Sequence, residues 1–257
     1  MRCLQNELRH TVVSKRFLLS VLGMTGLSLL SISNEMEIGT SVSVYYLFTV
    51  YFFYPFWMLF LIFSAVPGAT GFCIDWNCQI YRLKVARSGK KAYIFSKLMA
   101  CIVSSFLVVV ISQFLLLFIL SLHRPMLLDG EAQRLLGGIY KGVANPKSIW
   151  IYFVIRTVMQ ALSACFFSTV ALWISVKVLD GLVVITTPII LYYLAANLVS
   201  GLGIPFYLSI PRMVKGDIEL SGGITLTLVY VTLILGVLTA WFGFLFFRTS
   251  KRRIENG

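Results

Sequence analysis

Charge is scarce in this chain: only 12% of the 257 residues carry it, and ten Asp and Glu stand against 22 Lys and Arg. A soluble domain carries about 25%. With 58% of the residues hydrophobic, one soluble core cannot absorb the apolar surface, and much of it must face lipid. Histidine is rarer still, with only His10 and His123, both outside the apolar runs. That excludes a membrane-embedded metalloprotease of the H-E-x-x-H kind. No cysteine pair is flanked by histidine at zinc-site spacing, and neither a G-x-S-x-G elbow nor a Walker A loop occurs. No carboxylate falls inside an apolar run, Asp180 at a run boundary being the nearest. Ion-coupled transporters ordinarily need such a group near the midplane. The chain is therefore expected to catalyse nothing by itself and to bind no metal and no cofactor. Any uphill work needs energy from a partner.

What the sequence does contain is six apolar runs, 17–33, 44–70, 98–122, 149–176, 181–202 and 224–247. Each is long enough for a helix to cross about 30 Å of hydrocarbon. Helices satisfy their own backbone there, and no dyad alternation favours a barrel. The expected fold class is all-α and polytopic, a single transmembrane domain over 1–257. Fifteen Lys and Arg fall in the N-terminal segment, the 71–97 loop, the turn at Lys177 and the C-terminal tail, against six on the other side. The positive-inside rule places the richer side, with both termini, in the cytoplasm of a cell (plasma) membrane protein. Because the basic excess clusters at run ends, nucleic acid is not an expected partner. The first run is long for a signal-peptide core and no clear small-residue cleavage site follows, so it reads as retained. All five cysteines are cytoplasmic or inside runs, so no disulfide framework is implied.

Residues 1–16 place Leu4, Leu8, Thr11 and Val12 on one helical face and Arg2, Arg9 and Arg16 on another. That spacing suits a helix lying in the cytoplasmic interface, against membrane lipid, or a frayed basic tail that only sets topology. The 203–223 segment mixes Pro205, Pro211 and Gly216 with apolar pieces. It reads equally as an external re-entrant hairpin or a surface loop. Arg156 is the one charge inside a run, and either snorkels to the external interface or lines a polar cavity. The second run is dense in aromatics, among them Tyr46, Phe53, Tyr54 and Trp57, while the fifth adds Tyr192 and Asn197. An interface belt explains the outermost of these. The deeper ones, with Arg156, are candidates for a wall along which an amphipathic cargo passes; packing against lipid is the other reading of the aromatics, and a hydrogen bond between helices that of Asn197.

The 71–97 loop is the most informative stretch. Trp76, Ile80 and Leu83 follow helical spacing, and Gly89 breaks the run before Tyr93. A short helix, a turn and a basic re-entry point would present a knob to a cytoplasmic partner, or the stretch is a solvated basic loop that only enforces topology. Asp75 and the stretch from Ala86 to Lys97 (ARSGKKAYIFSK), with Lys90, Tyr93 and Lys97 in register, resemble the loop of ABC-2-type permeases. There an acidic residue and a short coupling helix precede S-R-P-x-S-R-x-x-Y-x-x-x-K. Arg87 stands where proline is common, and Cys78 where glycine is common.

The resemblance implies a permease subunit of an ATP-driven exporter, with six spans, an N-terminal interfacial helix and a coupling helix between spans two and three. Asp75, Trp76, Ile80, Arg82, Leu83 and Arg87 would dock on one of two ABC ATPase subunits, and ATP and Mg would sit on those partners. A second permease copy or a paralogue would complete the assembly. The cargo would be a peptide, antimicrobial, drug or lipid. A non-transporting sensor or assembly subunit, or a channel, are the competing readings.

Overall fold

The computed structural model describes residues 2–37, 42–128, 149–202, 205–215, 218, 220 and 223–256. Among them every regular element is helical and none is a strand. Helix α1 (Arg2–Val12) ends at a break where Ser14 caps α2 (Lys15–Glu37), its hydroxyl accepting from the Phe17 amide at 3.1 Å. The cap fits the preference for serine at a helix start.

The second apolar run is not one continuous span. It is divided into α3 (Val44–Val50), two turns of 3-10 helix (Tyr51–Phe53 and Pro55–Leu59) and α4 (Phe60–Ala69). The break has a local cause. Tyr54, which precedes Pro55, is extended at φ −79° and ψ 144°, the region to which a following proline confines its neighbour. Proline then opens the next turn, where its missing N–H costs nothing. The freed end is tied elsewhere, the Val44 amide donating to the Pro125 carbonyl at 3.0 Å.

The expected 71–97 loop is almost wholly helical. The segment Phe56–Ala69 passes with a 42° bend into α5 (Gly71–Asn77), and α6 (Ile80–Ser88) follows. Gln79 makes the turn between them at φ 56°, a left-handed conformation that costs a side-chain-bearing residue about 1 kcal/mol. Gly89, at φ 81° and ψ 152°, separates α6 from α7 (Lys90–His123). Only glycine adopts that backbone freely.

The remaining helices are α8 (Ile149–Lys177), α9 (Gly181–Leu202), α10 (Ile210–Lys215) and α11 (Ile224–Asn256). Five helices, α2, α7, α8, α9 and α11, are long and apolar enough to cross a membrane, and the bent pair through α4 and α5 makes a sixth candidate. The protein is thus a polytopic helical membrane protein. Helix α8 is central and buried along most of its length, packing on α4, α7, α9 and α11. Helices α9 and α11 are peripheral and expose apolar rows that include Leu182, Leu194, Leu198, Leu233, Val237 and Trp241, as lipid-facing helices do. Close packing of α4 on α7 depends on Gly68, where a Cβ would stand 2.6 Å from the Cys101 Cα. Helices α1, α5 and α6 gather at the end of the bundle where α11 finishes, so both termini and the former loop share one basic end. The segment 205–215 packs back on α8 and α9 with Met213 and Val214 buried. Residues 129–148 lie outside the described residues, as do 203–204 and parts of 216–222.

Candidate functional site

Four helices meet at one point of the basic end through a buried set of charges. Glu7 of α1 faces inward although its neighbours Arg9 and His10 are exposed. Its carboxylate accepts from Lys84 Nζ of α6 at 2.5 Å and from Lys97 Nζ of α7 at 2.9 Å. Asp75 of α5 accepts from the same two lysines, at 3.0 Å from Lys84 and 2.8 Å from Lys97. The Tyr93 hydroxyl donates to Asp75 at 3.0 Å, and Lys97 also reaches toward the Gly71 carbonyl at 3.5 Å. Two cations and two anions make the set neutral, and each anion touches both cations. Side chains of Glu7, Asp75 and Lys97 are only 7–8% exposed. Charges so buried survive only when paired on all sides. Asp75, Tyr93 and Lys97, on which the sequence resemblance partly rests, are therefore one hydrogen-bonded unit.

The six expected coupling residues divide into two sets. Asp75 is buried in the charge cluster. Trp76 is half-buried, stacked on Tyr81 at 4.2 Å with the Arg253 guanidinium of α11 at 4.8 Å from its ring. Asn77 Nδ2 donates to the Leu179 carbonyl at 3.2 Å, which ties the same knob to the end of α8. Ile80, Arg82, Leu83 and Arg87 point outward from α6, Leu83 being 64% exposed. The result is a helix-turn-helix knob whose inner side is pinned to α1, α7, α8 and α11, and whose outer side offers two aliphatic groups and two arginines. Sequence reasoning missed Glu7 and Lys84, and singled out Lys97 only through the loop resemblance.

The charge states make this joint pH-dependent. Burial pulls the Lys84 ammonium down, while Glu7 and Asp75 outweigh that and hold it above its ordinary 10.5. Lys84 thus contributes stability below pH 10.5 that is lost as pH rises through its higher folded value. Amide exchange of α1, corrected for its intrinsic pH dependence, should quicken as pH rises above 10.5 relative to neutrality. Unchanged protection of α1 there would remove Lys84 from the joint.

Of the candidates for a cargo wall, Trp57, Tyr192 and Arg156 are buried. Trp57 and Tyr192 are buried against each other at 5.4 Å, and Trp57 stacks on Phe60 at 5.6 Å. Tyr46 and Tyr54 donate to Glu35 at 3.3 and 2.7 Å. Asn197 is exposed on α9, and the Phe53 side chain lies outside the described residues. Arg156 does not snorkel. It is 5% exposed, donates to the Tyr152 hydroxyl at 2.5 Å and to the Lys215 carbonyl at 3.3 Å, and lies 4.3 Å from the Phe52 ring centre. Partners on α8, α10 and the second run hold it inside the bundle, which overrides its nearness in sequence to the helix end. Most span hydroxyls bond their own helix, as Ser28 does to the Met24 carbonyl at 2.8 Å. The described residues include exceptions on α7 and α8, where Gln113 Oε1, Thr157 Oγ1 and both amide atoms of Gln160 are buried without a protein partner.

Among the described residues no group of His, Cys, Asp and Glu is arranged to hold a metal ion. Comparison with protein-family models, with curated proteins and with solved structures gives no match for this chain.

Proposed function

We propose that the chain is the membrane permease subunit of an ATP-driven ABC exporter. In this reading two permease copies, or one with a paralogue, dock on two ATPase subunits that bind ATP and Mg. The basic end faces the cytoplasm of a cell membrane, in line with the positive-inside rule. An amphipathic cargo, such as a peptide, antimicrobial, drug or lipid, leaves the cytoplasm through the assembly. The chain contributes the path and the lever, and the partner contributes the chemistry.

The observation that carries this reading is the outward edge of α6. Ile80 and Leu83 are 39% and 64% exposed on the helix that also exposes Arg82 and Arg87, on a knob whose inner side is pinned by buried charge. Exposed aliphatics flanked by arginine suit a protein partner better than solvent. Rigid attachment suits force transmission, because α5 continues from α4 through a single bend, so a push on the knob moves a span as well. The partnerless Gln113 Oε1 and Gln160 amide support a polar path within the bundle, since buried polar groups are ordinarily satisfied.

Co-expression with the neighbouring genes of its operon tests the reading. The ATPase should co-purify with the chain, and Leu83→Asp should weaken the complex at least tenfold, the loss of about 1.4 kcal/mol that one interface anchor commonly carries. An ATPase complex indifferent to Leu83→Asp would remove α6 as the docking edge. Absence of any ATPase complex would remove the permease reading itself.

A further inference from the structure

Beside the charge cluster lies a cavity of about 420 Å³, between α1, the start of α2, and the α5–α6 knob. Its base is formed by Glu7, Asp75, Lys84 and Lys97, which neutralise one another. Its rim carries His10, Lys15 and Arg16. Among the described residues no carboxylate lies within ion-pair distance of Lys15 or Arg16. A neutral floor under a cationic rim leaves the cavity with net positive charge. The surface just below it is apolar. Lys15 is followed on the same helical face by Leu19 and Leu22, at the i+4 and i+7 positions, and these are 66% and 53% exposed with Leu18 beside them at 60%. Val13 at the α1–α2 break is 77% exposed. Because α2 is a candidate membrane span beginning at Lys15, the cations stand where headgroups begin and the leucines where acyl chains begin.

We propose that this cavity is a binding site for the phosphodiester headgroup of an anionic phospholipid. Lys15 and Arg16 hold the phosphate, and the acyl chains lie along Leu18, Leu19 and Leu22. The bound lipid sits against both α1 and the knob, so it braces the same joint as the buried charges. A free phosphate ion would satisfy the cations but would leave the leucine track unused. The site stands on its own residues whether or not the knob docks an ATPase.

The test is thermal unfolding of the purified full-length chain in uncharged detergent, titrated separately with phosphatidylglycerol, phosphatidylcholine and inorganic phosphate. Phosphatidylglycerol should raise the midpoint saturably, and the other two should not. In the double variant Lys15→Gln, Arg16→Gln, half-saturation should need about 30-fold more phosphatidylglycerol, the change that two cations near an anionic surface contribute. Lys15→Arg should keep the wild-type response. Should the double variant not insert, Arg16→Gln alone should shift half-saturation about fivefold. Stabilisation by inorganic phosphate equal to that by phosphatidylglycerol would overturn the lipid assignment in favour of a soluble anion. A phosphatidylglycerol response that phosphatidylcholine matches, or that the variants leave unchanged, would overturn the site.

Discussion

Replacing Lys97 with methionine should destabilise the chain by about 3–5 kcal/mol, the cost of leaving a buried counter-charge without its partner. Lys97 is 7% exposed and contacts both Glu7, at 2.9 Å, and Asp75, at 2.8 Å. Its removal leaves two carboxylates sharing Lys84, which is itself 31% exposed on its side chain and so better screened by water. Repulsion between the two anions then works to push α1 off α5, and α7 loses its tie to both. Lys84→Met should cost less than Lys97→Met for the same reason of exposure. Adding Asp75→Asn to Lys97→Met should recover part of the loss, since one of the stranded charges is then gone. Unfolding titrations of wild type, Lys97→Met, Asp75→Asn and the double variant in mixed micelles give the coupling energy directly. Hydrogen exchange locates the effect, which should concentrate in 2–12 and 71–88. A loss below about 1 kcal/mol for Lys97→Met, the range of an exposed ion pair, would show that the cluster does not hold the knob.

The helical spans were legible because span length and apolar composition are local properties. The division of the second run was legible too, in Tyr54-Pro55, but the apolar density around it masked the signal. The charge cluster was harder to see. Lys84 and Lys97 read naturally as positive-inside residues, and nothing local distinguishes a lysine that sets topology from one that is buried. Glu7 did carry a signal. It is the only carboxylate in the first 34 residues, and it sits three residues after Leu4 and four before Thr11, on the face that turns inward. What sequence could not supply was the return of α1 onto α7, which brings position 7 against positions 75, 84 and 97. The surroundings of the aromatic residues were hard to read for the complementary reason. Helical spacing identifies a shared face but not what covers it, and Trp57 proves to be covered by Tyr192 and Phe60.

Arg156→Lys should be nearly as damaging as Arg156→Met, each costing about 2–4 kcal/mol, because the site uses the shape of guanidinium as well as its charge. One nitrogen donates to the Tyr152 hydroxyl at 2.5 Å and another to the Lys215 carbonyl at 3.3 Å, while the flat group lies 4.3 Å from the Phe52 ring centre. A lysine ammonium placed for one of these partners has no second nitrogen for the other, and it is more strongly hydrated than guanidinium and so costs more to bury. The consequence reaches beyond α8, since the Lys215 carbonyl ends α10 and the Lys215 ammonium lies 5.5 Å from the Trp57 ring. Loosening of α10 should therefore appear as faster amide exchange in 210–215 and as a change in tryptophan emission, alongside the lower unfolding midpoint. A lysine variant within about 0.5 kcal/mol of wild type, the margin of an ordinary surface change, would show that positive charge alone holds α10 against α8.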